Sequence, residues 1–229
     1  MAITQLQSLK DSFYFLSQEL QEKIAPFYVL EHVEKFIKNL YLLKEATNKD
    51  TLNSQPTFAL ECTPSIKIAF SHFEPLLAST SEVSPQKLAL AIQKAGIANL
   101  LLLLGQRYTP ASLKDEHAIP PQKEVLLQAV LKPYNAYLTL VAREWSKHAL
   151  RSKELFWGTI VGNDAYKNKT SLAYIQKILN EATWWNMYGH FKHNTVYEVR
   201  IESGHGARWS SDGTVFIGFV EPFLDEELL

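Results

Sequence analysis

The sequence predicts a mainly α-helical (α+β) chain, a helical body that ends in a small antiparallel β-meander, and three observations carry this. Apolar residues recur at spacings of three and four over most of the chain before about residue 190. Between Val196 and Pro222 the pattern changes to β-branched and aromatic residues of roughly alternating polarity. Within that stretch Ser211-Asp212-Gly213-Thr214 separates two apolar runs, and Asp-Gly favours the turns whose twist matches paired strands.

Taken in order, Thr4–Pro26 carries Leu6, Leu9, Phe13, Leu16, Leu20 and Ile24 on one helical face, with Pro26 stopping or kinking the helix. Phe27–Ala46 repeats the pattern through Leu30, Val33, Ile37 and Leu40, and its polar face holds the four-spaced pairs Glu31–Lys35 and Glu34–Lys38. Thr47–Pro56 is polar and reads as a loop. Thr63-Pro64 resembles a helix cap, with Ile66, Phe70, Phe73 and Leu77 to follow; a strand through Ile66, Ile68 and Phe70 fits the shorter window equally well. Ser84-Pro85 and Gly105 bracket Leu88–Leu104, which predicts a central helix buried all round. Gln93, Lys94 and Asn99 inside it argue for a core helix rather than a membrane span.

Three prolines mark 108–121 as a loop, and helices are expected over Gln122–Leu131 and Tyr134–Leu150. Trp157–Asn168 reads as loop, Thr170 or Ser171 as the cap of the next helix, and Trp184–Gly189 as its termination. Strands are expected at Val196–Glu202 and Val215–Val220, with a short extended run at Ala207–Ser210 and a bulge at Gly218. The expectation is therefore about seven helices and a meander of two or three strands. With no persuasive linker, one domain spans 1–229, its helical body covering about 1–190 and its meander about 195–222.

Composition narrows the function classes. Hydrophobic residues make up 46% and charged residues 21%, ordinary values for a chain with a packed core. The formal net charge of -1 supplies no overall field for nucleic acid or an acidic membrane. One cysteine, Cys62, rules out an intrachain disulfide. Together with an N-terminus that lacks the basic and apolar pattern of a secretion signal, this predicts a cytoplasmic protein.

Chemistry-bearing residues concentrate late. Residues 143–208 hold ten basic and six acidic residues and four of the seven histidines. Arg143, Lys147 and Arg151 share a helical face, with His148 beside them and Lys153 beyond. All five tryptophans fall between 145 and 209. His190-x-x-His193 followed by His205 offers three imidazoles, but Lys192 inside the pair is unfavourable to a metal, so no metal site is assigned. Neither a G-x-x-x-x-G-K-[ST] nor a G-x-G-x-x-G pattern occurs. The basic stretches are mixed with acids, which predicts no nucleic-acid footprint.

The expectation from these residues is a pocket for a small anionic ligand, a phosphate or carboxylate, between the meander and the basic helix. Arg151 and Arg208 would bind it, His148 and Lys147 would line its rim, and His205, freed by Gly204 and Gly206, would be the catalytic imidazole. A competing arrangement pairs each arginine with a carboxylate such as Glu198, Glu202 or Glu221. Two other classes stand beside it: a helical module that docks another protein, and a metal-assisted hydrolase built on the three histidines. The sequence specifies no cofactor, no membrane partner and no oligomeric state.

Overall fold

The computed structural model describes residues 3–51, 55–78, 83–152 and 155–223; Lys153 and Glu154 lie outside this set. The chain divides into two compact units. One comprises Met1–Ser54, Cys62–Thr109 and Leu113–Ile119, the other Gln55–Glu61, Pro110–Ser112 and Pro120–Leu229.

The first unit is helical: α1 (Ile3–Ser12), α2 (Gln18–Ile24), α3 (Leu30–Glu45), α4 (Ile66–Ser71), α5 (Glu74–Ala78) and α6 (Pro85–Leu104). The single helix expected over Thr4–Pro26 is broken. Phe13–Phe15 tightens into a 3-10 turn, and Ser17, in extended conformation, starts α2 by accepting a hydrogen bond from the Leu20 amide. Helix wins over strand at Ile66–Ser71, although its cap is Ser65 rather than Thr63. Asp50 holds that cap, accepting from Ser65 Oγ at 2.9 Å and from the Ile66 amide at 3.1 Å.

Helix α6 has the expected ends, Ser84 as N-cap and Gly105 at φ 104 as C-cap. Gly96, at φ 71 and ψ 167, interrupts it with a kink. Only the segment after the kink matches the expected burial: Leu100–Leu104 are all buried, whereas Leu90 is half exposed. This helix is long and apolar enough to cross a membrane, yet half of it is buried, and it packs on α1, α3 and α4. Asn39 of α3 ties to it by donating to the Leu103 carbonyl at 2.8 Å. Leu101 is fully buried, so Leu101→Ala is expected to cost about 2–5 kcal/mol in urea unfolding. A loss below about 0.5 kcal/mol would contradict its place in the core.

The second unit contains α7 (Lys123–Leu131), α8 (Leu140–Arg151) and α9 (Asp164–Glu181), followed by β1 (Trp184–His190), β2 (Asn194–Arg200), β3 (Gly206–Ser210) and β4 (Phe216–Val220). The strands form one antiparallel sheet in the order β1-β2-β3-β4. The helical chain with a C-terminal meander is thus as expected, and both predicted strands belong to the same sheet. Gly213, at φ 75, makes the β3–β4 turn, and the register shifts beside Arg208, opposite Gly218.

Two differences matter for the site. Asn163 caps α9, accepting from the Tyr166 amide, so this helix begins at Asp164 instead of near Thr170. Trp184–Gly189, expected to end that helix, is strand β1. Trp184, Asn186, Tyr188 and His190 alternate with Trp185, Met187 and Gly189, a period of two that puts the two sets on opposite sheet faces.

On the apolar face Trp185, Met187, Tyr197, Val199, Ala207, Trp209, Phe216 and Phe219 are buried, and α7, α8 and α9 pack against the sheet. Trp209 Nε1 donates to the Leu126 carbonyl of α7 at 3.2 Å. The opposite face is polar. Residues 110–112 line the free edge of β1, where the Gly189 amide donates to the Ala111 carbonyl at 3.1 Å and Ser112 Oγ to Asn186 Oδ1 at 2.9 Å.

Candidate active site

Register assembles the polar face. Asn186, Glu198, Arg208 and Gly218 lie side by side across the four strands. Glu198 is 1% exposed, and both its oxygens are engaged. Arg200 Nε donates to Oε1 at 2.6 Å. Arg208 Nε, Arg208 Nη2 and the Tyr188 hydroxyl all address Oε2, at 2.6, 2.5 and 2.6 Å. Burial alone would raise the Glu198 pKa, but the two guanidiniums and these hydrogen bonds outweigh it, and the carboxyl lies below its ordinary range. Burial and the neighbouring carboxylate push the Tyr188 phenol well above its ordinary value, so it stays a donor.

Arg200 closes the inner end of this face. Its Nη1 donates to the Gly204 and Glu221 carbonyls, each at 2.6 Å, and its guanidinium lies 3.8 Å from the centre of the Phe223 ring. Gly206, its partner across the ladder, is there by necessity. A Cβ at that position would meet the Val199 carbonyl oxygen at 2.1 Å.

Arg208 points the other way. Its side chain keeps 20% of its surface exposed, and Nη1 lies 3.0 Å from His190 Nε2. The guanidinium and the Lys192 backbone amide, 3.2 Å from Nδ1, are both donors, and a neutral ring accepts at one nitrogen alone; in the tautomer with the proton on Nδ1, Nε2 accepts from Arg208. The His190 pKa is lowered, first by loss of water and then by the Arg208 and His193 charges, so the ring is neutral near pH 7. His193 stands beside it, the two ring centres 5.1 Å apart. The turn that brings them together is closed by the His193 amide on the His190 carbonyl at 3.2 Å, with Asn194 at φ 58. The β1–β2 end of the sheet therefore gathers a neutral imidazole from β1, a second imidazole from the turn and a guanidinium from β3 held in place from behind by a buried carboxylate.

Of the residues expected from sequence to hold or act on an anion, only Arg208 lies here, beside His190 and His193 of the three-histidine set. His148 and His205 do come together, on Glu221. Glu221 Oε1 lies 2.9 Å from His148 Nδ1 and accepts from Trp157 Nε1 at 2.8 Å, while Oε2 lies 3.6 Å from His205 Nε2. The His205 ring is buried flat against Phe156, 3.7 Å between centres. Lys147 pairs with Glu144 at 2.7 Å, and Arg151 ends α8 exposed to solvent. Helix α8 packs on β4, with His148 against Phe219 of the apolar face, whereas Arg208 belongs to the polar face. Of the expected constellation, Arg208 is accordingly separated from His148 by the sheet itself. The competing arrangement, an arginine on Glu198, is the one Arg208 adopts. The three histidines are divided as well. His190 and His193 flank the start of β2, and His205 follows its end, about 20 Å along a seven-residue strand.

Residues 127–221 match the family model of the CdiA C-terminal tRNase toxin domain. The matched stretch is under half of the chain. It runs from within α7 to the residue after β4 and contains Tyr188, His190, Glu198 and Arg208. No curated protein and no solved structure matches the chain.

This tRNase match overturns the functional expectations from sequence. A pocket for a small anionic metabolite, a non-catalytic docking module and a three-histidine hydrolase all give way to a likeness to a nuclease toxin. The expected lack of a nucleic-acid footprint falls with them. It rested on charge summed along the chain, and that sum is blind to how the fold sorts charge. Glu198 is buried as the counter-ion of two arginines, while His190, Lys192, His193 and Arg208 gather at one end of the sheet. What sequence reasoning missed was Tyr188 and the pairing of His190 with Arg208; Glu198 entered only as the competing partner of an arginine. The signal for them was the two-residue alternation of β1.

Proposed function

We propose that the sheet-bearing unit is a ribonuclease toxin domain that cleaves tRNA at the open end of the polar face. The observation that carries this reading is the His190–Arg208–Glu198 chain of contacts lying inside the stretch that resembles a tRNase domain. RNA carries its own nucleophile, the 2′-hydroxyl, next to each phosphate. Cleavage then needs a base for that hydroxyl, a cation for the phosphate and an acid for the leaving oxygen.

The residues divide these tasks. Arg208, kept on Glu198 through Nε and Nη2, presents Nη1 to the phosphate, which releases His190 Nε2 from the guanidinium. His190 Nε2 takes the 2′-hydroxyl proton as O2′ bonds to phosphorus. The P–O5′ bond breaks, and the 5′-oxygen takes a proton from His193. The products are a 2′,3′-cyclic phosphate and a 5′-hydroxyl. Glu198, enclosed and fully engaged, does not meet substrate; with Tyr188 it fixes the direction of Arg208. A tRNA substrate puts the activity in the cytoplasm of a cell. The test is incubation of the purified chain with a tRNA pool and with DNA of matching sequence. Discrete RNA fragments and intact DNA support the reading; intact tRNA counts against it.

Acid dependence offers a separate check. The base acts when neutral, so activity falls as pH drops through the pKa of His190 in the folded protein, which lies below the ordinary 6.5. Arg208 is one cause of that depression, after desolvation. The residual activity of Arg208→Ala is therefore expected to fall at a higher pH than that of the unaltered chain, and Arg208→Lys, which keeps the charge, should shift it less. An acid limb that does not move in Arg208→Ala would remove His190 as the base.

A further inference from the structure

The turn between the two imidazoles holds Phe191, and burial does not account for it. Phe191 is 88% exposed, the highest value for a large apolar residue among the described residues. Its position is set by the tight turn from His190 to Asn194 rather than by burial. The ring lies nearly parallel to His190, 4.9 Å between centres at 24°. The Lys192 ammonium stands 5.2 Å from its centre. An apolar ring thus stands in water beside the proposed base, with Lys192 next to it in the chain and Arg208 on the far side of His190.

We propose that Phe191 is a stacking platform for an unpaired nucleobase adjoining the bond that is cut, an inference that rests on the ribonuclease reading. Aromatic rings stack on any base, and a neighbouring cation takes the phosphate of the same nucleotide. Lys192 has the reach for this, since its flexible chain can leave the ring as a base arrives and follow the phosphate. The ring and the two imidazoles are consecutive in one turn, so the stacked base belongs to a nucleotide beside the scissile phosphate. In a duplex both faces of a base are covered by its neighbours, and recognition by stacking requires an unpaired base. The substrate segment is therefore a loop or single-stranded end of tRNA rather than a paired stem.

Phe191→Ala, Phe191→Leu and Phe191→Trp separate stacking from mere apolarity. Loss of one base stack corresponds to about 5- to 150-fold. Phe191→Ala and Phe191→Leu are expected to lose that much kcat/KM on tRNA, Phe191→Trp to keep most of it, and all three to melt with the unaltered chain. Cut sites should map to unpaired positions. In a His190→Ala background, Phe191→Ala should also weaken binding of a single-stranded oligonucleotide. Cleavage by Phe191→Ala at the original rate, with His190→Ala inactive, would overturn the platform and leave the ribonuclease reading in place. Cuts within paired stems would overturn it equally. An unaltered chain that cuts no RNA would remove both.

Discussion

Glu198→Gln is expected to destabilise the sheet-bearing unit by about 3–5 kcal/mol, the cost of leaving buried charge without its partner. Glutamine keeps the shape of the side chain but removes the charge and replaces one accepting oxygen with a donor. Two guanidiniums converge on this carboxylate, and Arg200 is almost as enclosed as Glu198 itself. Arg200 retains the Gly204 and Glu221 carbonyls, which limits the damage but does not neutralise its charge. The pH dependence follows from sign. The folded pKa of Glu198 is depressed, so its contribution is complete above the ordinary carboxylate value of 4.5 and is lost as pH falls through the folded value. The gap between Glu198→Gln and the unaltered chain should be full at neutral pH and shrink on acidification below 4.5. Urea unfolding at several pH values reads both. A constant difference across that range would mean that the charge is not what holds the two arginines.

His190→Ala and Arg208→Ala are expected to be the most damaging changes to activity. Loss of a general base costs about 10²–10⁴-fold. Loss of a cation at a phosphate costs about 10²–10³-fold, the scale set by single electrostatic donors at other reacting oxygens. The two residues contact each other, so the double variant should fall well short of the product of the single losses. Arg208→Lys should recover only part of the rate, because an ammonium lacks the fork that engages both Glu198 and a phosphate. His193→Ala is expected to be slow on ordinary RNA and near normal on RNA with sulfur in place of the 5′-bridging oxygen, since a thiolate leaves without protonation. Full activity in His190→Ala, measured on the same tRNA, would dismiss the site.

Some of this was legible in the sequence, and the reasons are local. Asp212-Gly213 between two apolar runs specified a hairpin, and Ser84-Pro85 with Gly105 bounded α6, because caps and tight turns depend on a few adjacent residues. The kink at Gly96 was hidden because the helical pattern runs on both sides of it, and a helix tolerates an isolated glycine. Strand β1 was hidden by its position, since it follows α9 almost directly with neither a glycine nor a proline between them. Without β1 the face that carries Tyr188 and His190 cannot be drawn. The site then depends on register. Arg208 meets Glu198 because β3 pairs with β2, and His190 meets Arg208 because β1 lies beyond β2. Such pairings join residues ten or more positions apart, and no spacing within the sequence announces them. The basic helix face of Arg143, Lys147 and Arg151 drew attention by its regular spacing, yet Glu144 bridges Arg143 and Lys147, as on an ordinary helix surface.

The most direct test of the central claim is the chemical identity of the ends left on tRNA. Fragments from the unaltered chain, analysed by mass spectrometry, should carry a 2′,3′-cyclic phosphate on the upstream piece and a 5′-hydroxyl on the downstream piece, and His190→Ala should yield neither. A 3′-hydroxyl paired with a 5′-phosphate, or the same fragments from His190→Ala at an undiminished rate, would contradict the account.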